Sequence, residues 1–239
     1  MINFNIAQWR AWGPGLESAD DWRAWCQQPR SMPPTDAAPD VSFLPAIQRR
    51  RLSRLARMAF SVGWPLAEGY QPLPLVFVSR HGETPRTFEI LSDLAAEQPL
   101  SPTQFSLSVH NAIIGLWSII HGETSEMTAI AANRDGLEHG MLEAAALLAE
   151  GAPAVLLVVA EEQPPAAYRA WIHDVPFPYA VGLLITAGDQ WQLTLSPARE
   201  GLAPSTQPHA LSLLQTLLGQ KANCQHAWKH RVWNWQRKP

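Results

Sequence analysis

Thiols are nearly absent from this chain. Its only cysteines are Cys26 and Cys224, too few and too far apart for a disulfide framework or a cysteine-based metal site, a usage that fits a reducing cytoplasm. Charge is sparse too: 16% of the 239 residues are charged and the formal net charge is −3, which gives no overall pull toward nucleic acid or an anionic membrane. No basic stretch followed by an apolar run opens the sequence, so no secretory signal is expected. The longest apolar runs, such as 155–160, are too short to span a bilayer. No repeat of structural length is present; His-Gly-Glu-Thr occurs at 81–84 and again at 121–124, but the flanks differ. No cofactor and no metal is expected, and a cytoplasmic globular protein remains.

What the chain does have is apolar mass, 46% of its residues, and 11 tryptophans. Trp9, Trp12, Trp22 and Trp25 gather near the start, and Trp228, Trp233 and Trp235 near the end. Indoles carry large contact areas and are enriched at interfaces, so the two ends either fold back on the core or meet a partner.

Local patterns divide the chain. Residues 1–45 read as an N-terminal arm with a short helix (18–27) and a Pro-rich loop (29–45), where proline excludes regular helix. Residues 46–239 form the main domain. A helix is predicted over 46–62, with Ile47, Leu52, Leu55, Met58, Ala59 and Val62 on one face and Arg49, Arg50, Arg51, Arg54 and Arg57 on the other. Strands are predicted at 73–79, 127–132 and 154–161, alternating with helices at 84–97, 105–120 and 135–150, an α/β layered pattern. Two further strands, 179–186 and 190–195, are expected to form a hairpin through Ala-Gly-Asp (187–189). A helix at 209–218 then precedes a basic, Trp-rich tail.

One short motif suggests chemistry. Arg80-His81-Gly82-Glu83-Thr84 follows the strand at 75–79 and resembles the histidine phosphatase signature, in which an imidazole attacks phosphorus and an arginine neutralises the phosphoryl oxygens. That family usually has asparagine where Thr87 stands, its motif lies near the N-terminus, and it needs a second histidine, for which His110 and His173 are the candidates here. A solvated strand-to-helix turn is the plainer reading.

A longer, ordered match competes with it. The Arg-rich helix, the strand 75–79, Ser101-Pro102, Ser108-Val109-His110-Asn111-Ala112, Gly122 and Gly151 resemble, segment by segment, the N-terminal half of the β-ketoacyl synthases. Phe4-Asn5-Ile6-Ala7-Gln8-Trp9 and Leu44-Pro45-Ala46-Ile47-Gln48-Arg49-Arg50-Arg51 extend a resemblance to half-length ketosynthase-like proteins of aryl polyene type II polyketide systems, which are similar to chain-length factors. The resemblance implies a thiolase-like layered fold, a mixed sheet flanked by helices, with a truncated C-terminal half. It also puts Arg134 where the family has its nucleophilic cysteine. That thiol works at a helix N-terminus, where the dipole lowers its pKa and backbone N–H groups hold the oxyanion. Arginine cannot attack a thioester. The family's C-terminal histidine elements are missing as well, so the resemblance implies a non-catalytic subunit that pairs with a complete β-ketoacyl synthase.

Further expectations follow. Arg134 either pairs with a neighbouring acid, Asp135 or Glu138, or fills and charges the vacated site. By resemblance Ala154, Val155, Leu156, Leu157, Val158 and Val159 would be the strand that pairs across the dimer axis; the plainer reading is the central buried strand of one subunit, and the two are compatible. Leu137, Met141 and Leu142 would line the end of the partner's acyl tunnel, or belong to the core. Lys229, His230, Arg231, Arg237 and Lys238 would steer an acidic acyl carrier protein, or form a solvated end; the Arg49–Arg57 face carries the same two readings.

Overall fold

The computed structural model describes residues 1–30, 32, 35–199 and 201–238; Ser31, Pro33 and Pro34 of the Pro-rich loop lie outside them. In chain order the elements are β1 (Ile2–Trp12), α1 (Ala19–Gln27), α2 (Ala46–Arg49), α3 (Arg54–Ala67), β2 (Leu75–Val78), α4 (Thr84–Ala95), α5 (Pro102–Ser106), α6 (Ala112–His121), β3 (Met127–Ile130), α7 (Gly136–Ala149), β4 (Val155–Glu161), β5 (Tyr179–Pro197), α8 (His209–Leu218), β6 (Asn223–Trp228) and β7 (Arg231–Arg237). The strands form one mixed seven-stranded sheet in the order β3-β2-β4-β5-β7-β6, with β1 also paired to β5. β2 is parallel to β3 and β4. β5 runs antiparallel to β1, β4 and β7. This is the mixed sheet flanked by helices that the resemblance implied.

Period-two alternation sorts the core into two layers. Val76, Val78, Val155, Leu157 and Val159 point to one face, where they meet Leu137, Met141, Leu211 and Leu214 from α7 and α8. Leu75, Phe77, Leu156 and Val158 point to the other, against Leu55, Met58, Phe60, Val62 and Trp117 from α3 and α6. Because both faces are covered, the central strands read as unbroken apolar runs. Glycine sets the closest approach twice. A Cβ on Gly182 of β5 would lie 2.9 Å from Leu66 Cδ1 and 3.1 Å from the Val62 carbonyl oxygen, so α3 lies directly on the strand. A Cβ on Gly140 of α7 would lie 2.7 Å from both Leu157 Cδ1 and Val78 Cγ2.

Four local expectations need correction. Residues 2–12 form an eleven-residue strand within the sheet. The helix expected over 46–62 is two helices, because Ser53 turns extended and its Oγ accepts from the Ala56 amide at 3.0 Å, starting α3 afresh; α3 then continues through Pro65 to Ala67. The hairpin expected at 187–189 is a bulge within one 19-residue strand. There Asn5 of β1 donates to the Ala187 carbonyl and accepts from the Gln190 amide at 3.0 Å, bridging the irregularity. The basic tail is the β6–β7 hairpin, with Trp233 and Trp235 buried against the sheet.

Candidate functional site at the start of α7

Residues 131–135 carry the chain from β3 into α7, at the carboxyl ends of the parallel strands, where open α/β sheets place their ligands. Arg134 stands at this turn. Its Nη1 donates to the Ser205 carbonyl at 3.1 Å, and its guanidinium lies 5.3 Å from the centre of the Trp228 ring. Both contacts come from the C-terminal segment, which folds over the helix start. The expected pairing of Arg134 with Asp135 or Glu138 does not occur, because both acids are engaged elsewhere.

Asp135, fully buried, accepts from Arg231 Nε at 2.6 Å and Trp233 Nε1 at 3.1 Å. Burial alone would raise its carboxyl pKa, but Arg231 and Trp233 outweigh it and hold the group below its ordinary value. Glu138, one turn on, is equally buried; it meets His209 Nδ1 at 2.8 Å and His226 Nδ1 at 2.5 Å and accepts from Trp235 Nε1 at 3.1 Å. Here too burial opposes ionisation, and the two imidazoles overcome it, keeping the carboxyl well below the usual range. An ionised carboxylate only accepts, so both rings donate through Nδ1. The rings stack with centroids 4.2 Å apart. Their Nε2 atoms are buried with no partner among the described residues.

These contacts lie beside a small cleft of about 40 Å³, partly open to solvent, lined by Val78, Arg80, Arg134, Glu161, Tyr179 and His209 among others. Asp174 also lines it and binds both Arg80 Nη1, at 2.5 Å, and His81 Nε2, at 3.1 Å. Burial opposes its ionisation, yet His81 and Arg80 hold Asp174 well below the carboxylate range. Glu161 is almost fully buried, and burial pushes its pKa up to about 7 although it accepts from the Arg80 and His81 amides and from Ser79 Oγ. The Arg80–His81 turn is thus built into the wall of the cleft. The second histidine a phosphatase needs is not supplied by the candidates: His110 Nε2 is bound to the Ser79 carbonyl at 2.7 Å and His173 Nε2 to the Ala170 carbonyl at 3.0 Å.

The other expected site residues scatter. Ala154–Val159 are interior; β4 is hydrogen-bonded to β2 on one side and β5 on the other, so it offers a partner no edge. β3 is an edge strand, paired only with β2; β6, paired only with β7, and β1, paired only with β5, are edge strands too. Leu137 and Met141 belong to the core, whereas Leu142 is 41% exposed. In the basic tail Arg231 is committed to Asp135, Lys238 lies 3.8 Å from Asp189, and Arg237 sits over Trp191. The Glu138–His209–His226 cluster went unread in the sequence. Its one signal is the alternation of 223–228 and 231–237, which marks two strands and puts His226, Trp233 and Trp235 on inward faces. No described helix is long and apolar enough to cross a membrane.

Two helical layers around a mixed sheet, with the cleft at the strand ends, define a thiolase-like α/β protein. The chain belongs to the β-ketoacyl synthase N-terminal domain family, whose model matches residues 22–236. It is similar, at 30% identity and a TM-score of 0.89, over 99% of its length and 100% of the other chain, to a chain in the structure of the ketosynthase ApeO in complex with its chain length factor ApeC from Xenorhabdus doucetiae. The fold recurs in the ishigamide ketosynthase/chain length factor, with 14% identity, TM-score 0.65, and coverage of 83% of this chain and 68% of that one. It recurs also in AntDE:AntF, a type II polyketide synthase acyl-carrier protein in complex with its ketosynthase bound to the hexaketide, with 9% identity, TM-score 0.70 and 99% coverage of each chain. No curated protein matches the sequence.

Proposed function

We propose that this chain is a non-catalytic ketosynthase-like subunit of the chain-length-factor type, pairing with a complete β-ketoacyl synthase in aryl polyene biosynthesis in the cytoplasm. The observation that carries the reading is the end-to-end likeness to a chain from a ketosynthase–chain length factor complex. The helix start supports it. Condensation needs a thiolate there, whereas residues 131–138 contain no cysteine and the two thiols lie elsewhere. Burial also raises both Cys26 and Cys224 to about 11, which makes them poor nucleophiles.

The partner's docking surface is the β3 edge with its apolar surroundings. β3 presents an unpaired strand side, a natural template for another chain. α6, which packs beside β3, carries Ile119, 76% exposed. This replaces β4 as the interface. Of the three tunnel candidates Leu142 is the one accessible to a partner, so it takes the role of limiting chain growth. An acyl carrier protein would approach the complex, with the complete ketosynthase supplying the chemistry.

The test is co-expression with the complete ketosynthase encoded nearest to it, followed by size exclusion with light scattering. A one-to-one heterodimer that makes polyene only as the pair is expected. Failure to associate, or condensation of malonyl thioesters by the isolated chain above a blank, overturns the reading.

A further inference from the structure

Glu138 is a buried anion without a matching cation. Its carboxyl is fully buried and held ionised, yet no lysine or arginine lies within salt-bridge distance of it among the described residues. Its ion-pair contacts are the rings of His209, at 2.8 Å, and His226, at 2.5 Å, while Arg231 is committed to Asp135. Buried charges in proteins are paired or coordinate metals. Burial also holds the His226 ring below its ordinary imidazole value, so that ring is a poor counter-charge. The missing positive charge falls to a proton on His209 or to a metal ion.

The geometry separates the two. A second proton on His209 makes an imidazolium whose Nε2–H is buried with no partner among the described residues, and a charged donor left unsatisfied in the interior is costly. A metal ion asks for no such proton. One ligand atom from each of Glu138, His209 and His226 already lies within 4.8 Å of the others. Each carboxylate oxygen faces one imidazole Nδ1, so two oxygens and two nitrogens close on one space, and all three residues are buried. Nothing bonded to either Nε2 among the described residues obliges Nδ1 to keep the ring proton. With that proton on Nε2, Nδ1 presents its lone pair to the ion. Trp235 Nε1 donates to Oε1 at 3.1 Å and orients the carboxylate, as the groups behind metal ligands do.

We propose that Glu138, His209 and His226 form a closed structural site for a divalent transition metal, zinc by its donor set. Zinc accepts imidazole nitrogen and carboxylate oxygen, imposes no geometry of its own, and is four-coordinate in closed sites. With metal–ligand distances of about 2.0–2.2 Å, neighbouring donors stand roughly 3.3 Å apart. The contacts of 2.8 and 2.5 Å therefore widen by less than about 1 Å to admit the ion. The ligands come from α7, α8 and β6, which meet only as the chain folds. The ion is taken up in that step and fastens the C-terminal segment to α7. The site uses no thiol, so the shortage of cysteine does not argue against it, and it does not depend on pairing with a ketosynthase.

The untagged full chain, purified without chelator, is tested by elemental mass spectrometry, then stripped by dialysis against a chelator and titrated with zinc chloride. We expect about one zinc per chain, a thermal midpoint that falls on stripping and returns with zinc, and the intense visible bands of four-coordinate cobalt when cobalt(II) replaces it. His209→Gln and His226→Gln each weaken zinc binding at least ~100-fold by calorimetry. His173→Gln with His230→Gln, two exposed rings, leaves it unchanged. Should the buried variants fail to fold, the cobalt spectrum of the parent decides: the pale spectrum of six-coordinate cobalt overturns the site. It is overturned as well by a chain that holds no metal and whose midpoint ignores zinc, by unchanged affinity in folded His226→Gln, or by zinc lost in the His173/His230 variant.

Discussion

The two flanks of α7 are built on opposite principles. At its start the chain has closed the surface. Asp135 and Glu138 are buried, and β6, β7 and α8 supply an arginine, two histidines and two indoles as partners, although both bonds to Asp135 fall on Oδ2 and its Oδ1 has none among the described residues. At the β3 edge the chain has left the surface open, with an unpaired strand side and, on neighbouring α6, the exposed side chain of Ile119. A buried carboxylate that loses its partners destabilises the fold, so the closed flank is committed to one arrangement. The open flank has no internal partner on its outer strand side, the arrangement on which the proposed docking surface rests. At the start of α7 the chain's own C-terminal segment packs over Arg134 and leaves only a small cleft.

The contrast can be broken most severely on the closed side. Glu138→Ala leaves two imidazoles and the Trp235 N–H facing nothing, and is expected to cost about 3–5 kcal/mol in urea unfolding. A loss under about 1 kcal/mol would mean the cluster contributes little. Next is Gly140→Val, which drives side-chain carbons into Leu157 and Val78 where a Cβ already lies at 2.7 Å; an overpacking cost of about 1–3 kcal/mol is expected in the same assay. On the open side Ile119→Asp should leave stability within about 0.5 kcal/mol of the parent yet weaken association with the complete ketosynthase about 10-fold by light scattering. If stability falls and association holds, Ile119 belongs to the core and the contrast is misdrawn.

The smallest effect concerns pH. Burial raises the Glu162 carboxyl to about 7, despite Arg54 nearby, from an ordinary 4.5. The folded state therefore holds this proton more tightly than the unfolded state, and stability from this group, complete below pH 4.5, is lost as pH rises through 7. Glu162→Gln, which cannot ionise, should gain about 1 kcal/mol over the parent near pH 8 and little near pH 4.5. Asp135 and Glu138, both held low, work in the opposite direction. Their contribution is present above the ordinary carboxylate range and is lost as pH falls through their lowered values.

Legibility in the sequence followed the range of the interactions. β2, β3, α7, β4 and α8 were readable because their apolar periodicity is local and strong. The 187–189 segment was misread because Ala-Gly-Asp carries ordinary hairpin chemistry, and only Asn5, from the far end of the chain, holds it as a bulge. For β4 two readings stood together, an interface strand and a central buried one, because an uncharged strand looks the same in either place; its pairing with β2 and β5 makes it central. Arg134 was placed correctly at the helix start, but its partners, Ser205 and Trp228, come from a segment read as a loose tail.

By itself the sequence determined the layered α/β class, the order of its central elements and the lack of a thiol at the start of α7, since periodicity and composition are properties of neighbouring residues. Only the tertiary structure decided that β3 lies at an edge and β4 does not, that Asp135 and Glu138 are enclosed by residues at the far end of the chain, and that His209 is buried with one nitrogen unpartnered. Pairing and burial depend on which distant segments meet, and long-range closure, not local propensity, selects them.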